Sequence, residues 1–261
     1  MARGVSPNTL RRHFDKFLDR VPEAVGPNKG KLPLEIYIKA DGKYFGHWGC
    51  IVVFKERGNI IYWDFVLREN YFNYLLSFSK IKDLGYKVLG LTSDWHSSLV
   101  ASFKTAFPDL PHQRCLVHTQ RECEALLTKN PETEAGRDLL QIVKLLNAIK
   151  NINERDIWIL WLTRFGKRYE AVLKERTYSE DKTHWQYTHR KLRKTYRMLD
   201  GSLDHLFLYL ENENIEKDTN SLEAEFKHLK KKLAVHNGLK RSRRINFNKW
   251  YFYLKSHDTK S

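Results

Sequence analysis

The sequence predicts an α/β fold, a mixed sheet with an all-helical insertion before the last core helix. Three observations carry this. "LEIYIKAD", Leu34 to Asp41, alternates apolar and polar residues in the manner of a half-buried strand. "YKVLGLTSD", Tyr86 to Asp94, is apolar almost to its end, as a strand buried on both faces would be. From Thr119 to about Asp218, segments such as "GRDLLQIVKLLNAIKNI" repeat with helical period. With 261 residues, 41% of them hydrophobic, the chain can bury one large core or a core with an insertion.

Taken in order, Ser6 or Asn8 can cap a first helix whose apolar stripe is Leu10, Phe14 and Leu18. "VPEAVGPNKGKLP" then reads as a linker, because Pro and Gly interrupt both periodicities. "LEIYIKAD" ends at an Asp-Gly turn. "YFGHWGCIVVF" and "NIIYWDFVL" are β-rich runs joined by "KERG", a hairpin turn. "NYFNYLLSFSKIKDLG" reads as a helix closed by Gly85, and "SSLVASFKTAF" as a helix stopped before Pro108. "HQRCLVH" reads as a further short strand, and two helices, about 220–234 and 244–256, close the chain. There is no internal repeat and no low-complexity tract.

Lys and Arg number 46 against 31 Asp and Glu, a formal net charge of +15. Such an excess calls for a polyanionic partner, of which nucleic acid is the commonest. No apolar run is long enough to span a bilayer, and the N-terminus lacks the apolar stretch of a signal peptide, so membrane and secreted classes are set aside. Cys50, Cys115 and Cys123 cannot form an even disulfide framework, and a reducing cytoplasm is expected.

If the partner's backbone is acted on with the help of metal ions, the residues to look for are acids at the ends of buried strands and on one adjacent helix. Divalent ions about 3.5–4 Å apart activate the nucleophile and stabilise the leaving oxygen, and Mg²⁺ takes carboxylate and phosphate oxygens. Asp41 ends the first strand, although Asp-Gly is also an ordinary turn pair. Asp94 stands at the mouth of the buried strand, where ligands of α/β sheets collect; as an alternative it can cap the next helix. Glu223 lies at the margin of the stripe Leu222, Phe226, Leu229 and Leu233, with Lys227 and Lys230 beside it; Asn220 and Glu223 also have capping-box spacing. Glu225 is expected to point elsewhere and be solvated.

At these residues the chain resembles the DDE transposases of the ribonuclease H-like superfamily, and among them the Mutator-like type of bacterial insertion sequences. The stretches are "IYIKADGKYF", "LGLTSDWHSSLVASFKTAFPDLPHQRCLVH" and "TNSLEAEFKHLKKKLAVHNGL", and the resemblance runs from about Leu34 to Tyr253. It implies a ribonuclease H-like sheet and a helical insertion before the Glu. It also implies Asp41, Asp94 and Glu223 as catalytic metal ligands for two Mg²⁺ or Mn²⁺ ions. Cys115, His118, Asn220 and His236 would support the site, with Cys115 and His118 orienting Asp94. The implied reaction is hydrolysis at element ends followed by joining of the 3′ hydroxyl to target DNA, by a homodimer on DNA. The family's pattern divides the chain into 1–30, a helical remnant of a helix-turn-helix with its linker; 31–118, the first part of the catalytic core; 119–217, the helical insertion; and 218–261, the C-terminal catalytic and basic helices. The departure is "ARGVSPNTLRRHF", which is similar to a recognition helix without the helices expected before it.

Other residues fit plainer readings. Cys115-x-x-His118 has half the spacing of a zinc site and no second pair to complete it. Trp95 reads as core packing, and His96 as an ordinary His or a phosphate contact. Trp158, Trp161, Phe165 and Tyr169 share a helical face, which suits packing better than base stacking. The densest basic runs hold Arg190, Arg193 and Lys194, and then Arg241, Arg243 and Arg244. With Lys227 and Lys230 they are expected to meet DNA phosphates, which would position the duplex without reading it. Two alternatives remain open: a DNA-binding remnant without catalysis, and a ribonuclease H-like nuclease or resolvase that cuts without joining.

Overall fold

The computed structural model describes residues 5–24 and 33–257; most of the linker reading falls on 25–32, outside them. In chain order the elements are α1 (Pro7–Leu18), β1 (Leu34–Tyr44), β2 (Cys50–Glu56), β3 (Asn59–Val66), α2 (Tyr71–Asp83), β4 (Tyr86–Ser93), α3 (Ser97–Ala106), β5 (His112–Arg114), α4 (Leu116–Leu127), α5 (Glu134–Leu145) and α6 (Ile152–Arg168). There follow α7 (Glu170–Lys174), β6 (Arg176–Tyr178), β7 (Trp185–Tyr187), α8 (Arg190–Asp200), α9 (Leu203–Leu206), α10 (Asn220–Ala234) and α11 (Arg241–His257). Two compact units result, Met1–Leu110 with Thr219–Ser261, and Pro111–Asp218.

In the first unit the strands lie in the order β3-β2-β1-β4. β1 pairs antiparallel with β2 and parallel with β4, so the sheet is mixed. The alternation in β1 sends Ile36, Ile38 and Ala40 to one face, where they pack with Phe54, Tyr74, Phe78, Ile81, Leu99 and Phe103. The other face presents Ile51, Val53, Ile60 and Trp63 to Leu222, Phe226 and Leu229 of α10 and Phe252 of α11. The sheet is therefore covered by α2 and α3 on one side and by α10 and α11 on the other. The Leu222, Phe226, Leu229, Leu233 stripe read from the sequence is the buried face of α10.

The helix ends follow local chemistry. Ser6 accepts a hydrogen bond from the Thr9 amide at 3.2 Å, with Pro7 opening α1. Gly85 follows α2 at φ 89°, a left-handed angle that suits Gly. α1 then docks on α11: Phe17 stacks on Trp250 at 3.8 Å between ring centroids, and the Arg243 guanidinium meets Asp15 at 3.1 Å and Asp19 at 3.2 Å. Leu18 is buried, whereas Leu10 of the expected stripe is exposed.

Three local expectations are corrected. Asp41–Gly42 is not a turn: β1 runs through it to Tyr44, and Gly42 pairs with Val52. "HQRCLVH" is a strand only over His112–Arg114; Leu116 opens a helix because Leu116, Thr119, Cys123 and Leu127 recur at helical spacing and are buried. The second unit is not all helical either, since β6 and β7 form an antiparallel hairpin. The unit's apolar core lies among its helices, where Leu139, Val143, Trp158, Leu162, Phe165 and Leu199 meet. The Trp158 indole N–H donates to the Ile142 carbonyl at 2.8 Å, and Phe165 and Tyr169 are buried, as a packed helical face requires; Trp161 is exposed. All three cysteines are buried thiols. No helix among the described residues is long and apolar enough to cross a membrane.

Candidate active site

β1 and β4 place two of the acids. Their register runs in parallel to a last pair, Ala40 with Ser93. Asp41 and Asp94 are the next residue on each chain, and neighbouring strands lie only about 4.8 Å apart. Asp41 is 7% exposed. It stands opposite Val53, which packs in the same cluster as Leu222, so Asp41 belongs to the sheet face that α10 covers. Asp94 is half-buried, and its Oδ1 accepts the His96 amide at 3.1 Å. That is a local Asx turn; the residue capping α3 is His96, without a side-chain bond, so Asp94 does not serve as the helix cap. The turn places Trp95 at φ 71°.

α10 brings the third. Its first residue is Asn220, with Thr219 as the cap, so Asn220 and Glu223 lie inside the helix and the capping box does not form. One margin of the apolar stripe carries Ser221 and Glu225. Ser221 accepts from the buried Lys39 ammonium at 2.7 Å, and Glu225 meets Lys55 at 3.5 Å and the Tyr251 hydroxyl at 2.9 Å. Glu223 forms the other margin and is half-buried. Glu225 is therefore not a solvated acid. Lys39 and Lys55 face each other across β1 and β2, almost fully buried, and Glu225 offsets that charge.

Two residues at this end escaped the sequence reading. Lys39 is two residues before Asp41 and shares its face; its only signal was the polar half of the alternation. Glu69 lies in the segment before α2, on the opposite face. Its carboxylate accepts the Tyr74 hydroxyl, and its amide donates to the Tyr44 hydroxyl at 3.0 Å. Burial pushes the Cys50 thiol well up, and Glu69 and Asp41 push it further. Burial likewise raises the Tyr74 phenol, with Glu69 and then Asp94 adding to it. Asp41, Glu69 and Asp94 thus act on the same small group of side chains. A Cβ on Gly42 would stand 2.1 Å from Glu69 Oε1 and 3.1 Å from Cys50 Sγ. Gly42→Ala is expected to displace Glu69 from Tyr74 and cost about 2 kcal/mol, read as a lowered urea midpoint. Glu69→Ala should recover most of that loss in the double variant; simple additivity would show that the two positions do not compete for space.

The remaining site candidates are spread more widely. In the second unit, Cys115 Sγ lies 3.3 Å from His118 Nδ1 at the start of α4. His236 stacks on Phe14 at 5.0 Å and lies against Phe247 in a 500 Å³ cavity between α1 and the α10–α11 connection. Lys227 and Lys230 are exposed on α10. Arg241 donates to the Trp48 carbonyl at 2.9 Å, Arg244 lies over the Trp48 ring, and Arg243 is held by its two aspartates, so these three are engaged within the first unit. Among the described residues no group of three or more His, Cys, Asp or Glu is arranged to hold a metal ion. In donor chemistry the Asp41, Asp94 and Glu223 carboxylates suit Mg²⁺ or Mn²⁺, being oxygen donors without thiolate or imidazole.

The structure thus has a mixed sheet with Asp41 near the end of β1, Asp94 just after the parallel strand β4, and Glu223 on a helix that covers one face of the sheet. The chain belongs to the IS66 family of transposases: the model described as "Transposase IS66 family" matches residues 92–235, more than half of its length. Asp94 and Glu223 fall inside that match, and Asp41, on β1, lies well outside it. The finding corrects the Mutator-like assignment, which rested on the short stretches around the acids. No curated protein matches the chain. Among solved structures it is similar to the "Drosophila P element transposase strand transfer complex" at 12% identity and a TM-score of 0.44, over 98% of this chain and 86% of that one.

Proposed function

We propose that the protein is a DDE transposase that cleaves DNA at element ends and joins the 3′ hydroxyl to a target, with Asp41, Asp94 and Glu223 as its catalytic acids on a ribonuclease H-like core. One observation carries the reading most strongly: the β1–β4 register that makes Asp41 and Asp94 neighbours at the same sheet end. Family membership supports it, and α10 supports it by covering the Asp41 face of the sheet with Glu223 one residue beyond Leu222.

Asp41, Asp94 and Glu223 would hold Mg²⁺ or Mn²⁺, two ions in the full site, and bound ions would lower the barrier by activating the attacking oxygen and stabilising the leaving one. The chain's own residues do the rest. Lys39 fixes the first turn of α10 through Ser221, and its positive charge offsets the repulsion between neighbouring carboxylates. The net charge of +15 draws the polyanion in. Lys227 and Lys230 on α10, and Arg190, Arg193 and Lys194 on α8, would contact phosphates without reading bases. Two element ends must be held for joining, which suits a dimer on DNA.

The test is incubation of labelled DNA with Mg²⁺ or Mn²⁺, scoring nicked and joined products separately. Both products, absent in EDTA, are expected. Nicks without joining would make the protein a nuclease or resolvase; binding without either would make it a non-catalytic DNA-binding protein.

A further inference from the structure

The second unit carries a surface that packing does not explain. In the β6–β7 hairpin, Arg176 pairs with Tyr187 and Tyr178 with Trp185. Strand alternation puts all four side chains on one face and leaves Thr177 and Gln186 on the other. Tyr178 is 55% exposed and Trp185 47% exposed, so the aromatic surface is turned to solvent. It is nevertheless ordered. The Arg176 guanidinium lies 4.0 Å from the Trp185 ring centroid and 6.0 Å from that of Tyr187. Arg193 of α8 lies 3.9 Å over Tyr187. Trp185, Arg176, Tyr187 and Arg193 thus form one ladder of alternating aromatic rings and planar cations.

The ladder runs into a groove. Tyr187 and five cations of α8, Arg190, Lys191, Arg193, Lys194 and Arg197, line a cavity of 790 Å³; of the five, Lys194 is held by the Glu122 carboxylate at 3.3 Å. The hairpin is fixed beside it. The Thr188 amide donates to the Glu175 carbonyl at 3.0 Å, and Arg193 donates to the Leu173 carbonyl at 3.0 Å.

Cations alone would serve duplex or single strand alike, since both present phosphates. Exposed rings interleaved with guanidinium planes fit something narrower. They offer π surfaces, and in a duplex the faces of the bases are stacked on one another and closed to protein. Unpaired bases expose those faces, and aromatic stacking with a basic groove tracking the backbone is how single strands are held.

We propose that the β6–β7 face and the α8 groove form a binding site for unpaired DNA, with bases stacking on Trp185 and Tyr178 and the backbone following the α8 cations. The site rests on the reading of the protein as acting on DNA and adds to it a place for a strand that is melted or freed at the cleavage point.

The test is fluorescence anisotropy with a labelled oligothymidine and a duplex of equal length, in EDTA so that no cleavage intervenes. Trp185→Ala with Tyr178→Ala is expected to weaken oligothymidine binding about tenfold or more and to leave duplex binding within about twofold. Trp185→Phe, which keeps a ring, should bind oligothymidine nearly as the wild type does; it also controls for a misfolded hairpin. Arg197→Gln with Lys191→Gln should weaken both ligands and flatten the salt dependence. Equal loss on both ligands from the aromatic variant, or no loss on oligothymidine, would overturn the proposal. Because binding is read without metal, an inactive enzyme with intact single-strand binding would count against the catalytic reading alone.

Discussion

Asp94→Asn is expected to lower strand cleavage and joining by about 10³-fold, the several kcal/mol that a charge-stabilising centre supplies. The side chain keeps its size and one oxygen, so the Asx bond to the His96 amide can persist and the β4 turn should hold. What is lost is the negative charge at the end of β4. DNA affinity should stay within about twofold, because the phosphate contacts lie on exposed lysines and arginines. Filter binding in EDTA and product analysis in Mg²⁺ separate the two effects. Cleavage at the wild-type rate would remove Asp94 from the catalytic set.

The largest stability effect is expected at Phe226. It is 2% exposed, in the centre of the α10 stripe, and it meets Phe252 edge to face at 6.3 Å. Phe226→Ala removes that ring from between the sheet and two helices, and should cost about 3–5 kcal/mol. A domain stable by roughly 5–15 kcal/mol loses much of its margin. Because α10 carries Glu223, the same variant should lose cleavage activity before it loses global structure, as the helix loosens on the sheet. Thermal melting followed alongside cleavage tests this. A normal melting point would place Phe226 outside the core, and full cleavage with a lowered one would separate Glu223 from the reaction.

Much of the first unit was legible because its signals are periodic. The alternation from Ile36 to Ala40 defined the two faces of β1, although Leu34, read with it, is exposed, and the stripe from Leu222 to Leu233 defined the buried face of α10. What escaped depends on contacts between distant residues. Asp41–Gly42 has turn chemistry locally, yet the chain stays extended there; Glu69, far along the sequence, occupies the room a side chain at 42 would need. Nothing near Glu69 marks it, since its partners Tyr74 and Tyr44 come from a helix and from another strand. Glu225 looked solvated because Lys55, which draws it down to the sheet, is 170 residues away. The β6–β7 hairpin was hidden by brevity: three-residue strands show no measurable alternation within a strongly helical context. That the chain is a transposase was readable from the resemblance carried by the stretches around the acids. The family type was not, because the short stretches around those acids do not separate one transposase family from another.

The central claim is that Asp41, Asp94 and Glu223 hold ions together, and it can be mapped on the polypeptide itself. Fe²⁺ substituted for Mg²⁺, with ascorbate and peroxide, cuts backbone only beside the bound ion. The account predicts cuts in three separate segments, around Asp41, Asp94 and Glu223, suppressed by excess Mg²⁺ and abolished by Asp94→Asn. A wild-type pattern that omits any one of the three segments, or that survives Asp94→Asn, would contradict it.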